Sequence, residues 1–138
     1  MTTDRARTGS AWFQRTWFRN LWLAYWVTLF ALTHAPEPKW PGWSSKPSDK
    51  TIHVVAYFLL AGAGWLVLGS RSGPSRWRVL DWFAAVIIYG ACDEVLQAVC
   101  GRYCSTRDLA ADAIGAAAAI VGVEVFHLLR RGRHPAQA

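Results

Sequence analysis

Asp93-Glu94-Val95-Leu96-Gln97 places two adjacent carboxylates and a carboxamide inside an otherwise apolar run from about Val79 to Val99. A helical run of about 20 apolar residues, at about 1.5 Å per residue, is long enough to cross a bilayer. A charged side chain at the bilayer centre costs on the order of 3 kcal/mol, so acids at that depth indicate a functional site. Because helical residues four apart share a face, Asp93 and Gln97 are expected to point inward together.

The composition favours a membrane protein. Of the 138 residues, 53% are hydrophobic, and they are concentrated in long blocks, which excludes an ordinary soluble domain. A net charge of +6 would suggest nucleic-acid binding in a soluble protein. Here the arginines stand at the ends of apolar blocks, where they fix orientation and attract anionic head groups. We therefore predict a multi-pass protein of the cell membrane, with membrane lipid and not nucleic acid as its partner.

Four apolar blocks predict an all-α bundle of four transmembrane helices, at residues 18–34, 50–68, 79–100 and 108–129, in a single domain 1–138. Basic residues precede the first block, as in a signal peptide, but no small-residue cleavage site follows it, so we interpret it as a retained span. The proline-rich stretch after it forbids regular helix, and Ser48-Asp49 is a suitable N-cap for the second helix. Small residues in the second and fourth blocks, such as Gly62 and Gly115, predict close helix packing.

Basic residues are distributed unevenly between the two ends of these helices. Ten lie on one side and five on the other: Arg5, Arg7, Arg15, Arg19, Arg71, Arg76, Arg78, Arg130, Arg131 and Arg133 against Lys39, Lys46, Lys50, Arg102 and Arg107. Lys and Arg are enriched in cytoplasmic loops. Both termini are therefore predicted to be cytoplasmic, and the loops that hold Trp40, Trp43 and Tyr103 are predicted to be external.

With this topology, three groups of polar residues lie at one depth near the outer face. They are Asp49, Lys50, His53 and Tyr57 in the second helix, Asp93, Glu94 and Gln97 in the third, and Asp108 and Asp112 in the fourth. A membrane interior penalises unpaired polar groups, so we expect one buried network. His53 should approach Asp108 and one of the adjacent acids, Asp93 or Glu94, within a hydrogen bond or one bridging water.

The same residues resemble a known family. The order D-K-x-x-H-x-x-x-Y at 49–57, D-E-x-x-Q at 93–97 and R-x-x-x-x-x-D-x-x-x-[N/D]-x-x-G at 102–115 resembles the VanZ-like membrane proteins, named for an accessory gene of glycopeptide-resistance clusters. The resemblance covers roughly residues 49–122. Asp112 departs from the pattern, which more often has Asn there. The resemblance implies a small multi-helix envelope protein, linked in its namesake to teicoplanin resistance, with no assigned reaction.

The candidate functional residues come from this network. In an enzymatic version His53 is the general base, Asp93 or Glu94 the general acid and Arg102 an anion clamp. Arg102 and Arg107 suit a ligand phosphate or carboxylate, or alternatively they neutralise the acids of the fourth helix. The remaining candidate ligand-binding residues are Asp49, Lys50, Tyr57, Gln97, Asp108 and Asp112.

We predict an outer-leaflet pocket that binds, and in the enzymatic version modifies, an anionic lipid or a lipid-linked cell-wall precursor. The alternatives are a non-catalytic accessory module, in which the polar groups only staple helices together, and a small proton-coupled transporter or flippase. A metal held by His53, Asp93, Glu94 and Asp108 is less favoured because it has one histidine, and no cofactor is predicted. A homo-oligomer and a Cys100–Cys104 disulfide are left open.

Three acidic or histidine residues are expected to lie outside the network. His34 is interpreted as a solvated loop residue, because it stands at the start of the proline-rich stretch. Glu124 lies near the inner end of the fourth helix, and it is predicted to pair with His127 or the terminal arginines. Asp81, next to a tryptophan, is assigned to the inner interface.

Overall fold

The computed structural model describes residues 3–35, 49–68, 76–101 and 105–132. Within these ranges the fold is all-α, as predicted. The four helices are α1 Thr3–His34, α2 Asp49–Leu68, α3 Arg76–Val99 and α4 Thr106–Gly132. The observed ends lie within a few residues of the predicted ones except at the start of α1, where the helix already begins at Thr3.

Helix α2 lies at the centre and contacts each of the other three helices, most extensively α4. A Cβ atom on Gly115 would overlap the carbonyl oxygen of Val54 and would lie 3.0 Å from the backbone nitrogen of Phe58. The position of a Cβ on Gly62 is likewise only 3.3 Å from the Cβ of Ala119. The backbones of α2 and α4 are therefore in direct contact, and the predicted role of the small residues is confirmed.

Aromatic side chains attach α1 and α3 to α2. Trp22 Nε1 donates to Leu60 O at 3.1 Å, Tyr25 OH to Ala56 O at 3.0 Å, and Trp82 Nε1 to Ala61 O at 3.0 Å. Each carbonyl has a second lone pair beyond the one that its own helix uses. These rings therefore both pack against α2 and donate hydrogen bonds to its backbone. The hydrogen bonds fix how α1 and α3 are rotated relative to α2.

Polar and apolar side chains are distributed in an unusual way. The buried polar residues within the described ranges are Asp93, Glu94, Gln97, Asp108 and Asp112. Large apolar side chains are exposed on all four helices, and on α1, α3 and α4 they include Val27 at 69%, Ile88 at 64% and Ile114 at 62%. Soluble bundles bury the apolar side chains and expose the acids. Within the described residues of this bundle, five polar side chains are buried beside the apolar core while many large apolar side chains are exposed.

Two of the described helices are long and apolar enough to cross a membrane, at Lys50–Leu68 and Thr106–Arg130. These are α2 and α4, the pair whose backbones are in contact. The four-span topology and the cytoplasmic location of both termini stay predictions.

Candidate functional site

The candidate site lies at the end of the bundle where α1 and α3 end and where α2 and α4 begin. His53 is one turn into α2, Glu94 is in the penultimate turn of α3, and Asp112 is in the second turn of α4. At about 1.5 Å per residue these positions lie roughly 6 to 9 Å from the helix ends. The structure thus brings polar residues from separate helices to one level.

Three of these residues, His53, Glu94 and Asp112, form a group that we call the three-helix cluster. His53 Nδ1 lies 2.8 Å from Asp112 Oδ1, and one donor atom from each of the three side chains lies within 4.8 Å of the others. Asp112 is only 1% exposed. Glu94 is also buried, and its Oε2 accepts the backbone N–H of Ser105 at 2.8 Å. This bond ties the end of α3 to the start of α4.

Asp93 occupies a separate polar group beside the cluster. Gln97 Nε2 donates to Asp93 Oδ2 at 2.7 Å, and the hydroxyl of Thr33 donates to Asp93 Oδ1 at 3.2 Å. The inward face predicted for Asp93 and Gln97 is thus confirmed. His34 Nδ1 lies 3.7 Å from Asp93 Oδ1 and 2.8 Å from the carbonyl oxygen of Phe30. His34 is therefore a half-buried residue at the end of α1, and its assignment to a solvated loop was wrong.

Asp108 pairs with Lys50, whose Nζ lies 3.4 Å from Asp108 Oδ1. Asp112, and not Asp108 as predicted, is the α4 carboxylate that contacts His53. The reason is that α2 and α4 run in the same direction from this end, so a residue one turn deeper on α2 meets a residue one turn deeper on α4. The paired residues are separated by 58 positions for Lys50 and 59 for His53.

The same register accounts for Glu124, three turns further along α4. Trp65 Nε1 donates to Glu124 Oε1 at 2.7 Å, again across a separation of 59 positions. The predicted pairing of Glu124 with His127 or the terminal arginines was therefore wrong, because an indole of α2 reaches the carboxylate first. Glu124 belongs to the α2–α4 contact and not to the candidate site.

Tyr57 and Gly90 form the wall of the three-helix cluster. Tyr57 is 1% exposed, and its hydroxyl has no hydrogen-bond partner among the residues that the structure describes. The position of a Cβ on Gly90 lies 3.3 Å from the Tyr57 hydroxyl oxygen and 3.3 Å from Asp112 Oδ2. Both oxygens therefore pack closely against Gly90, where a side chain would press on them. Sequence reasoning selected Tyr57 but missed Gly90.

The other predicted site residues lie at the rim or outside the described ranges. Arg107, in the first turn of α4, is exposed, and Lys50, in the first turn of α2, is also exposed. Arg102 and the side chain of Asp49 lie outside the residues that the structure describes, as do Trp40, Trp43, Tyr103 and Cys104. Cys100 and Cys92 are free thiols. Asp81 is exposed near the start of α3.

The charges of the site determine what it can hold. Among the described residues, four buried carboxylates, those of Asp93, Glu94, Asp108 and Asp112, lie beside one lysine and two histidines, which are Lys50, His34 and His53. Buried carboxylates without enough positive charge attract cations or protons. A carboxylate bound to an imidazole also fixes the orientation of that ring, which prepares it to accept a proton or to ligate a metal.

These properties follow from the residues themselves, and the functional roles predicted for His53, Asp93 and Glu94 stay predictions. Comparison of the chain with models of protein families, with curated proteins and with solved structures found no match.

Proposed function

We propose that the chain is a VanZ-like membrane protein with four spans and cytoplasmic termini, which binds the phosphate-bearing headgroup of an anionic lipid or lipid-linked envelope precursor. The site is the polar end of the bundle, facing the outer leaflet. The observation that carries the proposal is the burial of Glu94 and Asp112 against His53 inside a bundle whose outer surface is apolar.

The apolar surface supports a membrane location for α1 and α3 as well as for α2 and α4. Val27 on α1 and Ile88 on α3 are as exposed as Ile114 on α4. The mean hydropathy of α1 and α3 is lowered by Trp and Tyr, which hydropathy scales count as polar although both favour the membrane interface. In α3 it is lowered further by the acids that face inward.

The choice of side chains supports a binding site over a staple. Hydrogen bonds between membrane helices contribute only about 0.6 kcal/mol on average, and Ser or Asn can supply them. Ionisable groups at this depth are far more expensive, which is why they mark sites by default. Lys50 and Arg107, exposed at the rim, suit a phosphate, because both donate charged hydrogen bonds to its oxygens.

The extent of the polar region argues against the transport alternative. Between the three-helix cluster and Glu124, the described buried side chains of α2 and α4 are apolar, and they include Leu60, Ala61, Ala116 and Ala119. A proton or ion path would need polar groups or water along that length. A polar site that opens at only one end of the bundle is consistent with headgroup binding and not with a path across the membrane.

The test is the lipid that remains bound to the purified protein. Wild type should retain an anionic lipid, and His53→Ala should retain at least about tenfold less. A buried hydrogen bond to a charged group contributes at least about 1.4 kcal/mol, and this free energy corresponds to a tenfold change in affinity. Mass spectrometry of the extracted lipid measures both. His127→Ala, the same change at the other end of the bundle, is the control and should match wild type. Equal retention in the two variants would refute headgroup binding.

The proposed topology has its own test. A reporter enzyme that is active only outside the cytoplasm should be silent when fused after Ala138 and active when inserted within residues 36–48. The reason is that ten basic residues lie on one side of the helices and five on the other, and the side with fewer basic residues is expected to be external. Protein abundance must be matched between the two fusions, and activity of the fusion after Ala138 would overturn the topology.

A further inference from the structure

We propose that His53, Glu94 and Asp112 bind a divalent metal cation. Their donor atoms lie within 4.8 Å of one another and come from three different helices. A cation held at about 2.1 Å from each donor places the donors roughly 3 to 4 Å apart. Small side-chain rotations would bring the three donor atoms to these distances. Because helix contacts already hold the three backbones in place, the helices themselves need not move.

The buried hydroxyl of Tyr57 is a second and independent indication of a ligand here. It is closed off from solvent and has no partner within the described part of the chain, and leaving a buried polar group unmet costs about 1 to 3 kcal/mol. Its oxygen and Asp112 Oδ2 each lie 3.3 Å from the position that a Cβ on Gly90 would take. A water molecule bound to the cation would supply the missing partner by donating a hydrogen bond to the phenol oxygen.

The charge of the cluster points to a dication. Two buried carboxylates, Glu94 and Asp112, stand against one imidazole, and buried charges are stable only when paired or bound to a metal. One imidazole nitrogen with carboxylate oxygens favours Mn²⁺ or Zn²⁺ over Mg²⁺ and Ca²⁺, which prefer oxygen alone. Three protein ligands leave positions open for water and for an oxygen of a ligand.

The cation also resolves an electrostatic conflict in the proposed function. An anionic headgroup that approaches four buried carboxylates is repelled, unless a cation lies between them. A dication in the three-helix cluster can bind a phosphate oxygen on its open side while the carboxylates hold it from below. This bridging role rests on the proposed headgroup binding, whereas the cation site itself does not.

The cation site is tested with Mn²⁺ alone, on full-length protein that has been treated with a chelator and dialysed in detergent. The loss of the free Mn²⁺ paramagnetic resonance signal measures binding. Wild type and Glu124→Gln should each bind about one Mn²⁺ per chain, and Glu94→Gln should bind at least about a hundredfold more weakly, because even loss of an outer-shell partner weakens metal binding about 10- to 100-fold.

Gly90→Ala provides a variant that keeps every ligand. Its methyl group would lie 3.2 Å from the Tyr57 ring and 3.3 Å from Asp112 Oδ2, so it should displace Asp112 from its present position and weaken Mn²⁺ binding about tenfold, an effect of about 1.4 kcal/mol. Melting curves confirm that each variant is folded. Absence of Mn²⁺ and Zn²⁺ binding by folded wild type, or equal binding by Glu94→Gln, would overturn the site.

Lipid retention with and without chelator separates this inference from the proposed function. Loss of the anionic lipid on chelation, and its return with Mn²⁺, supports the bridge. Retention that survives chelation overturns the bridge but leaves headgroup binding intact. If Mn²⁺ binds and no anionic lipid is retained under either condition, the cation site stands and headgroup binding fails.

Discussion

Gly115→Val is expected to destabilise the protein by about 3 kcal/mol, at the upper end of the range for overpacked cores. The first side-chain atom would already overlap the carbonyl oxygen of Val54 on the facing helix. Backbone atoms of α2 cannot move aside as a flexible side chain can, so α2 and α4 must separate. Separation would also break the bonds from Lys50 to Asp108 and from His53 to Asp112.

Gly122→Val in the same helix is the matched control. A Cβ at Gly122 has nothing within 4 Å among the described residues, and both changes replace helical glycine with the same residue, so the change in helix propensity is shared. Melting of the purified variants in one detergent measures the difference. If Gly115→Val and Gly122→Val have the same melting temperature, the close α2–α4 contact does not exist.

Glu94→Gln is expected to abolish lipid retention, because it removes a ligand of the cation proposed to bridge the headgroup to the site, while it leaves the melting temperature close to that of wild type. The amide keeps the size of the side chain and an oxygen that can accept the N–H of Ser105, and it removes a buried ionisable group whose burial opposes folding. His53→Gln should behave in the same way for binding. In a staple, glutamine would leave both the melting temperature and lipid retention unchanged, because a staple needs hydrogen bonds, which glutamine keeps, and not charge.

Asp93→Asn makes the comparison sharper, since the structure assigns Asp93 a different environment. Both of its oxygens accept hydrogen bonds, from Gln97 and from Thr33. Asparagine keeps one acceptor oxygen for Gln97, and the Thr33 hydroxyl can donate to Phe30 O at 3.0 Å instead, so stability should fall by no more than about 1 kcal/mol. Glu124→Gln, which can still accept from Trp65, should be neutral for both properties. If folded Glu94→Gln and His53→Gln both retain lipid as wild type does, the three-helix cluster only packs the helices together and does not bind a headgroup.

The sequence was sufficient to predict the helices and the level at which the polar residues meet. Long apolar blocks and the prolines between them place the helices, and small residues indicated that α2 and α4 would each pack closely against a neighbouring helix. Because spacing alone sets the depth of each acid, Asp93 or Glu94 was expected near His53, and of the two the structure places Glu94 in the group with His53.

Partners within that level could not be predicted, because they depend on the relative registers of helices distant in sequence. Asp108 and Asp112 are one helical turn apart, and only the α2–α4 register decides that Lys50 meets the first and His53 the second. The contact between Glu124 and Trp65 depends on the same register.

Two features of the site were missed for different reasons. His34 was assigned to a loop from its proximity to proline, although the topology already placed the end of the first helix beside the polar level. Gly90 has no side chain that could have marked it, and its importance is visible only from the oxygens of Tyr57 and Asp112 that face it. Positions that act by leaving space are not detectable in a single sequence.

The most direct measurement is the location of a bound anionic lipid on the chain. An anionic phospholipid with a photoreactive diazirine in its headgroup is incorporated into bilayer discs with the protein, crosslinked and mapped by peptide mass spectrometry. The same lipid with the diazirine at the end of an acyl chain is the control. Headgroup crosslinks should concentrate in residues 50–57 and 105–112 and fall in Glu94→Gln, while the acyl probe labels exposed apolar positions unchanged. Headgroup labelling spread evenly over both ends of the bundle, and equal in wild type and Glu94→Gln, would contradict a binding site at the three-helix cluster.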